Sequence, residues 1–137
     1  MIKVCIFGAG AIGGYIGCSL AKAGANVSLI ARGPHKEAIE KNGLVLISDK
    51  GKEKFKLTVS DNATQLGEQD YVIIAVKAHA ISSIVENLKP LLHSNTTVLS
   101  AVNGLPWWYF YKSNSETILE NSHIDSVDPN GIIWKTI

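Results

Sequence analysis

Apolar residues in this chain come in short runs that glycine-rich or polar breaks interrupt. Residues 2–7 (Ile-Lys-Val-Cys-Ile-Phe) are β-rich and stop at Gly8, which predicts a buried strand. From Ala11 to Ala23 the residues are small and helix-tolerant, and Gly24 then predicts the helix end. Residues 26–31 (Asn-Val-Ser-Leu-Ile-Ala) give a second strand pattern, so strand, glycine turn, helix and strand follow one another as a single βαβ unit.

The alternation continues. Pro34 opens a short helix that runs to about Asn42-Gly43. Residues 44–47 and 55–59 read as strands around the polar turn Asp49-Lys50-Gly51-Lys52, a hairpin or paired edge. Residues 71–76 (Tyr-Val-Ile-Ile-Ala-Val) are the most hydrophobic strand. A helix over 80–88 follows, with Ile81, Ile84, Val85 and Leu88 on one face and Pro90 at its end. Residues 96–102 supply another strand, closed by Asn103-Gly104. Strands alternating with helices predict an α/β fold, a doubly wound parallel sheet with helices on both faces. Beyond residue 105 the pattern fails. Trp107 to Tyr111 is an unbroken aromatic run, then comes polar sequence, and residues 131–137 end on an apolar segment with nothing to pack it. The domain reading is therefore 1–105 as the core and 106–137 as an aromatic-rich extension of the same domain.

Composition narrows the function classes. The chain has 137 residues, 46% hydrophobic and 18% charged, with a formal net charge of +1 from scattered Lys and Arg. That argues against nucleic acid or a membrane surface, both of which need a concentrated basic patch. No run reaches the length of a membrane span and no signal peptide opens the chain, so a cytoplasmic protein is expected. Cys5 and Cys18 lack CxxC spacing and read as buried reduced thiols; the four histidines are dispersed, so no metal site is expected.

Four positions carry chemistry. Gly8-Ala9-Gly10-Ala11-Ile12-Gly13 is a GxGxxG between a buried strand and a helix, the context in which it cradles a dinucleotide pyrophosphate. Gly8 permits the tight turn, Gly10 lets backbone approach phosphate, Gly13 lets helix press on strand, and the helix N-terminus offers free N–H groups. This makes the fold Rossmann-type. Arg32 ends the second strand, where an NAD-preferring domain carries an acid for the ribose 2′-hydroxyl; an arginine there binds a 2′-phosphate, pointing to NADP(H). The alternative is a solvated arginine. Lys77 follows the strongest strand, at the ligand edge of the sheet and just before a helix N-terminus, where a cation opposes the dipole. It either stabilises charge on a carbonyl oxygen or snorkels to water. Asn103, again at a strand's carboxyl end, is either a cleft ligand or part of a plain Asn-Gly turn.

Taken in register, Gly8-Ala9-Gly10-Ala11-Ile12-Gly13-Gly14, Leu29-Ile30-Ala31-Arg32-Gly33, Ala75-Val76-Lys77-Ala78 and Asn103-Gly104 closely resemble the N-terminal domain of the ketopantoate reductase (2-dehydropantoate 2-reductase) family. Asn103-Gly104-Leu105-Pro106-Trp107-Trp108 resembles a variant of that family's motif, and the resemblance spans essentially the whole chain. It implies reduction of 2-dehydropantoate to pantoate with NADPH, in making pantothenate and coenzyme A. It assigns the pyrophosphate to Gly8, Gly10 and Gly13 with their neighbours Ala9, Ala11 and Ile12, and the 2′-phosphate to Arg32. Lys77 matches the cleft lysine that contacts cofactor and substrate, and Asn103 the asparagine that orients the nicotinamide side.

The family's helical C-terminal domain, which supplies a lysine regarded as the general acid and a glutamate for the substrate hydroxyl, is expected to be absent; residues 123–137 resemble the segment leading to it. Little turnover is expected from this chain alone, and its exposed apolar surface is expected to favour a homodimer or other self-association. Two other readings stand beside this one. One is a non-catalytic NADP-binding module or gene remnant. The other is a different two-domain NAD(P)-dependent dehydrogenase of 2-oxo acids or alcohols.

Overall fold

The computed structural model describes residues 1–113 and 119–137. Five parallel strands form the central sheet: β1 (Lys3–Phe7), β2 (Asn26–Ile30), β5 (Thr58–Ser60), β6 (Tyr71–Ile74) and β7 (Thr97–Ser100), in the order β5-β2-β1-β6-β7. The sheet is doubly wound, as the strand–helix alternation predicts. The chain first builds outward from β1 to one side and then returns to build on the other, so the order reverses between β1 and β6. Ligands of open α/β sheets bind at the carboxyl ends of the strands beside such a reversal.

Strands β1, β2 and β6 are buried except at their first residue, because apolar layers cover both faces. On one face α1 (Ala11–Lys22) and α2 (Gly33–Asn42) pack over Val4, Ile6, Val27 and Leu29. On the other, α3 (Ile81–Leu88) lays Ile81, Ile84, Val85 and Leu88 against Cys5, Phe7, Val72 and Ile74. Each of those four helix residues is buried, at about 1.5–3 kcal/mol per side chain. On α1 a glycine makes the close approach: a Cβ at Gly17 would stand 3.2 Å from the Leu29 side chain. Cys5 and Cys18 are free and buried.

Three sequence expectations are corrected. The strand expected over 55–59 divides. Phe55 ends β4 (Gly51–Phe55), which pairs with β3 (Leu44–Ser48) in a separate antiparallel hairpin, while Thr58–Ser60 joins the main sheet as β5. The charged stretch Gly51-Lys52-Glu53-Lys54 carries none of the apolar residues that mark a strand. A solvated hairpin needs few of them, and Glu53 is anchored by an ion pair to Lys22 of α1 at 2.7 Å. The strands expected over 71–76 and 96–102 stop at Ile74 and Ser100, where the chain leaves the sheet toward the site.

The apolar C-terminal segment is not left unpacked. It forms α4 (Ile132–Thr136), whose Ile133 is buried in the same cluster as α3. The buried carboxylate of Asp128 accepts the N–H groups of Ile133 and Trp134, both at 2.8 Å, and so holds the start of this short helix. The aromatic run divides as well: Trp107 is buried in that cluster while Trp108, Tyr109 and Tyr111 remain exposed. The polar stretch after Tyr111 falls partly at 114–118, outside the described residues.

Candidate functional site: a glycine cradle at the sheet reversal

Parallel pairing fixes the site edge. Phe7 is paired with Ile30 on one side and Ile74 on the other, and Ile74 with Ser100, so β1, β2, β6 and β7 end level. Everything that follows those residues in the chain meets at one rim.

The glycine loop follows β1. Gly8 has φ +108°, a conformation that an L side chain rarely adopts, and its N–H donates to the Ile30 carbonyl at 3.1 Å. Gly13 is buried against the loop itself: a Cβ there would overlap the Gly8 carbonyl oxygen and press on Ile6 and Ala75. Gly10 differs from both. Nothing lies within 4 Å of where its Cβ would be, so the bare face of Gly10 opens to solvent at the N-terminus of α1. Gly10 is the N-cap, no side chain caps this end, and its first turn holds no acid. The helix therefore presents free N–H groups and positive dipole to whatever occupies that space. Ala11 and Ile12 are exposed there, and Ala9 is buried.

Arg32 follows β2 and is the N-cap of α2, again with no acid in the first turn. It is exposed, and among the described residues no carboxylate pairs with it. Glu40 and Asp61 both face Lys36, at 3.3 and 3.8 Å, and the Glu40 hydrogen bond pushes the Lys36 ammonium above its ordinary value. An unpaired guanidinium at a helix N-terminus, where it opposes the dipole, is a poor arrangement until an anion sits beside it.

Between these two helix ends lies a cleft of about 280 Å³, lined by Gly8, Ala9, Ile30 to Arg32, His35, and, across it, Val76, Ala80, Ser83 and Ile84. Its walls are apolar at the bottom and carry the Arg32 charge at the rim. Larger hollows exist, but they lie at the other end of the strands or beside α4 and share none of these residues.

Lys77 and Asn103 are each three residues beyond a paired position, Ile74 and Ser100, on neighbouring strands. Both are exposed at the rim. Lys77 is the N-cap of a 3-10 turn, Ala78–Ala80, that runs directly into α3, so its charge stands at the start of a helical segment. Gly104, with φ +106°, turns the chain after Asn103. The fold thus brings the glycine loop, Arg32, Lys77 and Asn103 to one edge.

One residue at this edge escaped the sequence reading. His35, in the first turn of α2, reaches back to the glycine loop, with Nε2 2.6 Å from the Ala9 carbonyl oxygen. The dispersal of the four histidines argues only against a metal site and says nothing of a backbone contact such as this one. The available signal was position: Pro34 starts the helix, so a residue just after it stands over the strand ends. Among the described residues no group of three His, Cys, Asp or Glu could hold a metal ion, and no helix is long and apolar enough to cross a membrane.

Comparison with known proteins identifies relatives of this chain. The sequence profile of the family described as Ketopantoate reductase PanE/ApbA matches residues 4–106, from β1 through the turn after Asn103. A 2-dehydropantoate 2-reductase of Mesorhizobium japonicum is 44% identical over 99% of this chain and 41% of its own length. A Ralstonia solanacearum MolK2 protein, whose crystal structure is described as a ketopantoate reductase, superposes with a TM-score of 0.90 at 39% identity. That match covers 100% of this chain and 42% of the other, so it includes the aromatic segment and α4. A D-mandelate dehydrogenase solved with NADH and anilino(oxo)acetate gives 0.71 at 27% identity, covering 77% of this chain and 35% of its own. The chain spans about two fifths of the length of the relatives it matches along its whole extent. With its profile match running from the first strand to the last, this chain belongs to the ketopantoate reductase PanE/ApbA family of oxidoreductases.

Proposed function

We propose that this chain forms the NADP(H)-binding part of a cytosolic reductase that converts 2-dehydropantoate to pantoate, serving pantothenate and coenzyme A synthesis. The observation that carries the cofactor reading is the unpaired Arg32 at the same rim as the open face of Gly10.

The residues fit a dinucleotide. Gly10 leaves space at the N-terminus of α1, where the N–H groups of Gly10, Ala11 and Ile12 would meet the pyrophosphate, with Gly8, Ala9 and Gly13 setting the loop. The apolar cleft between Ile30 and Ile84 suits the adenine end, and Arg32 would take the 2′-phosphate through paired N–H groups. Free, buried thiols accord with a reducing compartment.

When bound, the nicotinamide supplies a hydride to the carbonyl carbon of the 2-oxo acid. The task of this chain is to hold and polarise that carbonyl. The Lys77 ammonium donates a hydrogen bond to the carbonyl oxygen and stabilises the negative charge that develops there. Asn103, offering both a donor and an acceptor, orients the substrate and the nicotinamide side. Ground-state and transition-state charge differ most at that oxygen, so a fixed cation there accelerates the step rather than merely binding substrate. Little turnover is proposed for these 137 residues alone, since an open rim leaves the carbonyl in water. The exposed Leu105, Tyr109 and Tyr111 favour self-association into a homodimer, which sedimentation at rising concentration would detect.

The likeness to a D-mandelate dehydrogenase supports one second reading, in which the substrate is another branched or aryl 2-oxo acid and the cofactor NADH. Titration of the chain with NADPH and, beside it, NADH tests the proposal. Saturable binding with a clear NADPH preference is expected. Preference for NADH would favour the second reading, and binding of neither would overturn both.

A further inference from the structure

We infer that His35 is a positioning residue that fixes the orientation of the Ala9–Gly10 peptide and thereby sets the phosphate cradle. The inference deepens the reading above and rests on it for the identity of the ligand.

The argument starts from the hydrogen bond. A carbonyl oxygen only accepts, so at 2.6 Å from the Ala9 oxygen the His35 Nε2 carries the hydrogen and donates it. The peptide between Ala9 and Gly10 is planar and trans, which makes its C=O and N–H point in opposite directions. Holding the Ala9 oxygen toward α2 therefore holds the Gly10 N–H away from α2. That N–H donates to no backbone acceptor among the described residues, and Gly10 is the N-cap residue whose side is open to solvent.

Glycine makes the constraint necessary. With no Cβ on Gly10 and open space where one would stand, no side chain on that residue limits rotation of the preceding peptide, and the bond at the Ala9 oxygen supplies a restraint. A rotated peptide would turn a carbonyl oxygen toward an incoming phosphate and remove one donor. The neighbouring backbone bonds engage other groups of the loop: the Gly8 N–H donates to Ile30 and the Gly14 N–H to the Gly10 carbonyl, while the Ala9 oxygen is the acceptor that His35 engages. His35 reaches it because Arg32 and Pro34 start α2 level with the loop. The same first turn that carries the Arg32 charge thus also steadies the cradle, so the two anion sites are linked through one side chain.

The linkage separates His35 from Arg32 experimentally. The cradle serves any dinucleotide, so His35→Leu should weaken NADPH and NADH alike, by about five- to tenfold for one lost hydrogen bond. His35→Gln can still donate and should remain within about twofold of the unsubstituted chain. His35→Asn is polar but too short to reach, and should behave like Leu. In the ligand-free protein, the amide resonance of Gly10 should move in the Leu and Asn variants and be restored in Gln. An unmoved Gly10 resonance in His35→Leu, or unchanged affinity for both cofactors, would overturn the inference. A loss confined to NADPH would overturn it too, because His35 would then belong to the 2′-phosphate site. If the unsubstituted chain bound neither cofactor, the functional proposal would fail, while the Gly10 resonance would still decide whether His35 orients the peptide.

Discussion

The Gly13 backbone lies so close to the carbonyl oxygen of Gly8 that no side-chain carbon fits between them. Gly10, in the same loop, faces open space. The two glycines are required for different reasons, and substitution should separate those reasons. Gly13→Ala should lower unfolding free energy by about 3 kcal/mol or more in urea denaturation, since the obstacle is backbone rather than a movable side chain. Gly10→Ala should stay within about 1 kcal/mol of the unsubstituted chain yet lose cofactor binding. A stable Gly13→Ala chain would disprove the packing account.

Arg32 has no carboxylate partner among the described residues, so removing it should leave the free protein undisturbed. Arg32→Ala should weaken NADPH by about 10- to 100-fold, the worth of a charge-assisted bond, and change NADH little. Calorimetric titration with both cofactors checks this. Equal losses would remove Arg32 from the 2′-phosphate.

Asp128 is fully buried and serves two N–H groups of α4. Asp128→Ala should cost about 2 kcal/mol, and the loss should appear as early exchange of the Ile133 and Trp134 amides. Ile133 is packed against α3, so a concomitant change in the α3 amides is expected.

Burial pushes the Cys5 thiol up from 9.0 to about 12, against a smaller lowering by the Ser28 hydrogen bond. The folded chain holds the proton more tightly than the unfolded one, so the associated stability is complete below about pH 9 and declines from there to about pH 12. The decline should approach about 1.4 kcal/mol per pH unit and be missing from Cys5→Ala, as unfolding measured across that range would show. A thiol reagent at neutral pH should not modify Cys5 until the chain unfolds.

The sheet was legible because its information is local. The buried strands are short apolar runs, the glycine loop lies directly after the first, and Lys77 and Asn103 follow strands that end level. The pattern was weaker wherever a long-range partner decides the outcome. Gly51 and Lys52 look like turn residues, and Glu53 and Lys54 like no element at all, until Lys22, on another element, pairs with Glu53. Ile133 looked unpacked because nothing in its own segment says that α3 receives it. His35 was missed for the same reason, since its partner is a backbone oxygen that no residue type announces.

The level strand ends also act as a ruler. Lys77 and Asn103 are counted out from paired residues, so one inserted residue in either turn would shift the side chain along the rim even though the sheet stayed intact. The hairpin of β3 and β4 carries no such count, being outside the main ladder. Length variation across descendants of this fold should therefore gather near residues 49 and 50 and be scarce after Ile74 and Ser100, giving the chain one place where it can change size freely and two where it cannot.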